Sequence, residues 1–468
     1  GSVVLGGAPW GLLRIAPAAR PFLRQLHDAG ARGLAAGPGV EQQLIDLLLA
    51  RGIVHPVTVT GHPGGGPPTD IVVPCFERPE LLDACLDSLR RTAPGARIIV
   101  VDDASRSTRV GAVAHAHGAT VVSHGTNRGP AAARNTGLRH ADSPIVAFVD
   151  ADCVATPGWL SALVPHFDDL RVAVVAPRVS PRGSRRRLLA RYEADRSALD
   201  MGPRPELVKP GAPLGFLPSA ALVVRRSALP PDPFDERLRV GEDVDLIWRL
   251  VDAGALVRYE PHAVVTHEIR PAARRWAAQI FDYGTSAAEL DRRHPGRLAP
   301  ARLSFWNVTA AALACAPRPL PGRVAASATI VLAGALLARS LRASSVDPRV
   351  APLIVGKGLL ADAVACGHLL RREWWPVGWL TLAAAHRSPV ARAAAAAMMV
   401  PPIRDWLTRR PAVDLPRYLL LRLIEDASYG SGVIASAVRT RRPGVLVPLL
   451  RPPRRRRSDQ KKPTAASL

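Results

Sequence analysis

IVAFVDAD, Ile145 to Asp152, is five apolar residues closed by two carboxylates two positions apart. An unbroken apolar run of this length predicts a strand buried on both faces, delivering Asp150 and Asp152 to its carboxyl end. Upstream the same design appears in DIVVP (70–74) and RIIVVD (97–102). Between these runs lie helical patterns at 79–91, 110–117 and 130–140 and a short strand at 120–123; the first helix sets Leu81, Leu82, Cys85, Leu86 and Leu89 on one face. Such alternation predicts an α/β fold with a doubly wound, mostly parallel sheet covered by helices, whose ligands sit at the carboxyl ends of the strands. Three of those ends are polar: Cys75 to Arg78, including Phe76 and Glu77; Asp102 with Asp103; and Asp150 with Asp152.

At 468 residues and 49.9 kDa the chain holds more than one domain. Residues 1–60 read as a small unit: a hairpin (Val3 to Leu5, Leu12 to Ile15), helices at 17–29 and 40–51, and an extended piece at 53–60. That order suits either a winged-helix-like unit or a packing arm of the next domain. GHPGGGPP (61–68) has linker composition, the α/β pattern occupies 69–300, hydrophobic helical windows fill 301–450, and 451–468 is a basic tail expected to be disordered. The apolar windows at 308–316, 324–338, 377–385 and 393–400 each fall short of the ~18–20 residues a spanning helix needs. Val350 to Leu370 is long enough but carries Lys357, Asp362 and His368. Membrane segments, interfacial helices and an Ala-rich helical domain all fit this pattern.

Sixty-two Lys+Arg against thirty-nine Asp+Glu give +23. From Arg302 onward there are 26 basic and 8 acidic residues, so +18 lies there and +5 in the first 301. The excess therefore accompanies apolar helices and points to anionic membrane lipids at the cytoplasmic face. A nucleic-acid partner is disfavoured, because the N-terminal unit is poor in basic residues and no aromatics interleave with the Arg-rich tail. Five cysteines without a CxxC exclude a disulfide framework and a zinc knuckle and fit a reducing compartment. No GxGxxG follows the first strand, and P-loop, HExxH and GxSxG signatures are missing, which removes dinucleotide enzymes, P-loop NTPases, zincins and serine hydrolases.

Two carboxylates at a strand end can divide the work at a diphosphate, Asp150 on a ribose hydroxyl and Asp152 on a divalent cation. Asp102 or Asp103 can accept from a nucleobase or ribose, or serve as a turn pair. GPAAARNTG (129–137) opens a helix bearing Arg134 and Asn135, with Arg134 either a surface charge or a donor-phosphate contact. GEDVD (241–245) places three acids in a first helical turn, which the helix dipole favours and which also offers Asp243, beside Glu242, as a general base. His267 is a candidate metal ligand with Asp152.

Strand-Pro74, VVDDAS, Asn127 to Gly137, FVDAD and GEDVDLIWRL, in this order, resemble family 2 glycosyltransferases of the GT-A fold over about Thr69 to Pro295. The resemblance implies that Pro74 and Asp103 hold the nucleotide, Asp150 the ribose, Asp152 a Mg or Mn ion, and that Asp243 is the base of an inverting transfer. AARRW (272–276) departs from the QxxRW of processive synthases by Ala272, so synthase-type processivity is not implied. The whole chain is similar to a narrower group, the glycosyltransferases of the mycofactocin system, through VLGGAP (4–9), LLRIAPAA (12–19), RYEP (258–261) and YGTSAAEL (283–290). That similarity implies transfer of glucose, β-1,4-linked, once or repeatedly, from UDP-glucose to premycofactocin or its precursor peptide, which the first 60 residues would bind. A lipid-linked or cell-wall glycan is the alternative acceptor.

Overall fold

The computed structural model describes residues 2–8, 11–57, 66–269, 272–316, 319–343 and 346–452. Most of the expected linker, and the expected tail from 453 on, lie outside the described residues. The chain divides into two units, one from Val4 to Ala272 and the other from Ala273 on. Helices at 273–293, expected with the α/β domain, thus group with the helical unit.

In the first unit β1 (Ser2–Gly6) and β2 (Gly11–Ile15) pair, and α1 (Arg20–Ala29) and α2 (Val40–Ala50) follow. Ile15, Phe22, Leu44 and Leu48 make a small core of their own. Residues 53–57, expected to be extended, form no strand, and 58–60 lie outside the described residues. The segment packs on the larger domain: Ala8 joins that domain's core, Lys209 Nζ donates to the Ala50 carbonyl at 3.0 Å, and Arg171 meets Asp46 at 3.2 Å.

The α/β elements are β3 (Thr69–Cys75), α3 (Pro79–Thr92), β4 (Arg97–Asp102), α4 (Arg109–Ala116), β5 (Thr120–Ser123), α5 (Pro130–His140) and β6 (Ile145–Val149). Then come β7 (Cys153–Ala155), α6 (Trp159–Leu163), β8 (Val172–Arg182), α7 (Leu188–Arg196), β9 (Glu206–Leu207), β10 (Ala221–Arg225), α8 (Glu242–Asp252) and β11 (Leu256–Glu268). Sheet order is β5-β4-β3-β6-β10-β8-β11-β7, with β9 on β11. The four strands β5, β4, β3 and β6 are parallel, as their continuous apolar runs require when helices cover both faces. Beyond β6 antiparallel pairs join the parallel core. β10 runs antiparallel to both β6 and β8, so the sheet is mixed. β11 is long enough to pair parallel with β8 and antiparallel with β7, which brings His267 opposite Cys153.

α5 is buried from Ala131 to Leu138. It lies so close to β3 that a Cβ on Gly137 would sit 2.2 Å from Val72 Cγ1. Small residues on this helix set its depth, and hence the position of Arg134 and Asn135.

The second unit contains α9 (Ala273–Thr285), α10 (Ala287–Arg293), β12 (Arg302–Ser304), α11 (Phe305–Ala314) and α12 (Pro319–Ala343). It continues with α13 (Ala351–Arg371), α14 (Trp375–Ala383), α15 (Pro389–Arg409), α16 (Leu415–Thr440) and β13 (Leu449–Arg451). The expectation that the window at 324–338 is too short to span is corrected. Helix runs on through Arg323 and Arg339, giving 25 residues, about 37 Å at ~1.5 Å per residue. This helix and the stretch 348–371 are long and apolar enough to cross a bilayer, and only 6% and 11% of their most apolar windows are buried.

Gly137→Ala should lower stability by about 1–3 kcal/mol, the usual cost of forcing a methyl into a filled core. Chemical denaturation of the full chain checks it, and an unchanged midpoint would contradict the close approach of α5 to β3.

Candidate active site

The ends of β3 and β4 are tied by the Asp103 N–H donating to the Cys75 carbonyl at 2.8 Å. Just beyond, Glu77, Arg78 and Ala104 hold φ of 59°, 57° and 64°. Non-glycine residues adopt this left-handed region at a cost of about 1 kcal/mol or more, and such strain gathers at ligand sites. Local hydrogen bonds hold it in place. The Glu77 N–H donates to Ser105 Oγ at 2.8 Å, the Arg106 N–H to Glu77 Oε1 at 3.1 Å, and the Ser105 N–H to Asp102 Oδ1 at 3.0 Å. The Glu77 carboxylate therefore braces the β4 loop, Phe76 stands 49% exposed next to it, and Pro74 is buried inside β3.

The nucleotide contact expected of Asp103 is not open in this arrangement. Its Oδ1 accepts from the Arg128 N–H at 2.9 Å and meets His124 Nδ1 at 2.7 Å, and its Oδ2 accepts from the Gly129 N–H at 2.8 Å. Both oxygens are thus spent on holding the start of α5. Asp102 is half-buried, and its Oδ2 has no partner among the described residues.

Arg134 and Asn135 also depart from expectation, because α5 buries both. Asn135 donates to the Phe234 carbonyl at 2.7 Å and to Glu236 Oε1 at 3.2 Å, and accepts from the Phe234 N–H at 3.1 Å. It clamps residues 234–236. Arg134 is no surface charge: its Nη2 lies 2.6 Å from Asp150 Oδ1 and its Nη1 3.0 Å from Glu242 Oε1, so both terminal nitrogens are engaged by carboxylates. Its guanidinium carbon sits 5.6 Å from the centroid of Phe234, and that ring meets Phe148 edge-on.

Asp150 follows β6, and burial raises its pKa against the pull of Arg134. Asp152 faces His267 across β7 and β11, Oδ2 to Nε2 at 3.3 Å. Glu242 and Asp243 open α8 just after Gly241, whose φ of 86° favours glycine. Asp243 Oδ2 accepts from the Ser219 N–H at 3.0 Å and Oδ1 from the Val244 N–H at 2.8 Å. Burial raises the Asp243 pKa against these two bonds. Burial, then the charge of Asp243, push Glu242 up to about 7, with Arg134 opposing. Of the sequence-read residues the structure brings together Asp150, Asp152, His267, Glu242, Asp243 and Arg134. It adds Ser219 and Phe234, which sequence reasoning missed. Ser219 acts through its backbone and Phe234 lies 99 residues from Asn135, so neither carries a local signal.

Glycosyl transferase family 2 matches residues 70–229. The pre-mycofactocin glycosyltransferase of Mycobacterium tuberculosis is 38% identical over 467 residues, covering 96% of this chain and 95% of that one. The chain belongs to glycosyl transferase family 2. Within this enzyme the matched region spans β3 to β10 and carries the GT-A sheet with Asp102, Arg134, Asp150 and Asp152; α8 and His267 follow it. Polypeptide N-acetylgalactosaminyltransferase 15 of the mouse is 34% identical over 134 residues, 26% of this glycosyltransferase and 21% of its own length. The mannosyltransferase PcManGT from Pyrobaculum calidifontis, solved with GDP-Man and Mn2+, aligns at TM-score 0.43 and 18% identity, covering 85% of this chain and 93% of that one.

A buried carboxyl whose folded pKa rises from 4.5 to about 7 contributes most stability below the lower value and loses that contribution as pH climbs through the upper one. Glu242→Gln stays neutral, so its Tm relative to the parent should climb between about pH 5 and 8. Parallel Tm-versus-pH curves for the two proteins would contradict the burial of an ionising Glu242.

Proposed function

We propose that this glycosyltransferase transfers glucose from UDP-glucose to premycofactocin in β-1,4 linkage, with inversion, at the cytoplasmic face of the cell membrane. The observation that carries the acceptor is the end-to-end match with the Mycobacterium tuberculosis enzyme, which includes the N-terminal segment and the helical unit as well as the sheet. The chemistry rests on the acids gathered at the ends of β6 and α8.

In this reading the nucleotide lies over the strained β3 and β4 loops, with Phe76 beside it and Asp102 Oδ2 offered to the base or ribose. Asp150 accepts from a ribose hydroxyl with the oxygen that Arg134 leaves free. Asp152 and His267 suit a divalent cation such as Mg or Mn. They are a carboxylate and an imidazole, each with 14% of its side chain exposed, and among the described residues no group of three His, Cys, Asp or Glu is placed to hold a metal ion by itself. The remaining ligands would come from the diphosphate and water. When bound, such an ion stabilises the charge that develops on the departing diphosphate.

Asp243 is the proton acceptor. As the acceptor hydroxyl oxygen bonds to the anomeric carbon and the bond to the diphosphate breaks, the hydroxyl proton passes to the Asp243 carboxylate. Burial makes that carboxylate more basic, and the Ser219 and Val244 amides fix its orientation. Displacement from the face opposite the leaving group inverts the anomeric centre.

Membrane placement is supported by α12 and the stretch 348–371, both apolar and little buried, and by the +18 carried from Arg302 on.

Incubating the full chain with UDP-glucose and premycofactocin should add hexose masses to the acceptor, and EDTA should stop it. Asp243→Asn should lower kcat by about 100- to 10,000-fold, and Asp152→Ala should abolish metal-dependent transfer with the fold retained by circular dichroism. Near-parental turnover in either variant would overturn the site assignment. If α12 and 348–371 insert into the bilayer, the protein should stay with membranes through an alkaline carbonate wash; release by that wash would place it at the surface only.

A further inference from the structure

We propose that Arg134 is a positioning residue that ties the strand-end carboxylate Asp150 to the start of α8, so that the bound nucleotide and the proton acceptor Asp243 keep a fixed separation. The proposal rests on the roles read above for Asp150 and Asp243.

The geometry leaves Arg134 no other task. Its side chain is 3% exposed, one terminal nitrogen is 2.6 Å from Asp150, the other 3.0 Å from Glu242, and Phe234 covers its face. Its Nε is buried without a hydrogen-bond partner among the described residues, and with both terminal nitrogens on carboxylates the guanidinium turns no exposed edge toward a phosphate. One end of the bridge is attached to β6 and the other to α8, 92 residues further along. Glu242 adjoins Asp243 in the chain, so fixing the Glu242 carboxylate fixes the first turn of α8. The residue type is suited to this: a planar guanidinium fork reaches two carboxylates at once, where an ammonium acts as a point charge. Stability alone does not call for the arrangement, because buried ionic triads are often replaced by apolar groups of similar size without loss. The bridge in turn depends on α5 lying deep in the fold, which the alanines and Gly137 permit, and on Asn135, which holds Phe234 against the guanidinium.

Three variants of the full chain test it: Arg134→Met, which keeps the volume and removes the fork; Arg134→Lys; and Arg134→Met combined with Glu242→Gln. Arg134→Met should lower kcat by about 100-fold, the penalty of a misplacement near 1 Å, with a smaller rise in the donor KM. Arg134→Lys should recover part of kcat. Glu242→Gln should raise the Tm of the Arg134→Met protein by more than it raises that of the parent, because the methionine leaves the buried Glu242 and the half-buried Asp150 without a cation between them. A donor KM that rises while kcat holds would make Arg134 a donor contact and overturn the proposal. Additive Tm changes would overturn it as well. A parent protein that fails to turn over any sugar nucleotide would instead overturn the functional reading, and the Tm comparison would still decide whether the bridge couples β6 to α8.

Discussion

One buried guanidinium holds the site together. Arg134 carries a single positive charge between the half-buried Asp150 and the buried Glu242, and carboxylates withdrawn from water beside each other need a cation between them. Each neighbour of Arg134 is itself constrained. α5 lies against β3 at a distance only glycine permits, Asp103 pins the start of that helix with both oxygens, and Asn135 draws residues 234–236 over the guanidinium. The positions of Asp150 and Glu242 are therefore tied to the depth of one small-residue helix.

Charge is unbalanced at this place by design of the strand ends. Asp150, Asp152, Glu242 and Asp243 face one arginine and one histidine, and burial makes three of the four acids reluctant to ionise. A binding site with that surplus suits a divalent cation and attracts a diphosphate only through it. The strongly positive C-terminal third of the chain does not alter this, since its charge accompanies apolar helices in a separate unit. Net charge of the whole protein and local charge of the site thus have opposite signs and different purposes.

Much of the fold was legible because its signals are local. β5 and α5 begin and end where alternation and turn residues place them, and β3, β4 and β6 differ from the expected limits by one residue at most at either end. The acids at the ends of β4, β6 and α8 were legible for the same reason. What failed depended on partners distant in sequence. Asp103, just past a strand end, and Asn135, in the middle of a helix of small residues, read as nucleotide-sugar contacts, yet amides and a carbonyl reached only in the folded chain engage them. β10 turned the sheet mixed, although nothing in Ala221 to Arg225 by itself reveals strand direction. The span of α12 was underestimated because arginines mark the edges of an apolar window without ending the helix.

By itself the sequence determined the strands and helices from β3 to β6, and that paired acids follow β4 and β6, since periodicity and apolar runs act over a few neighbours. Tertiary structure alone decided what each acid does. A carboxylate at a strand end is open to a ligand if one oxygen stays free, as at Asp102, and serves as an anchor if both are bonded, as at Asp103. That difference comes from which distant amide or guanidinium packing brings within about 3 Å, a property of the closed core.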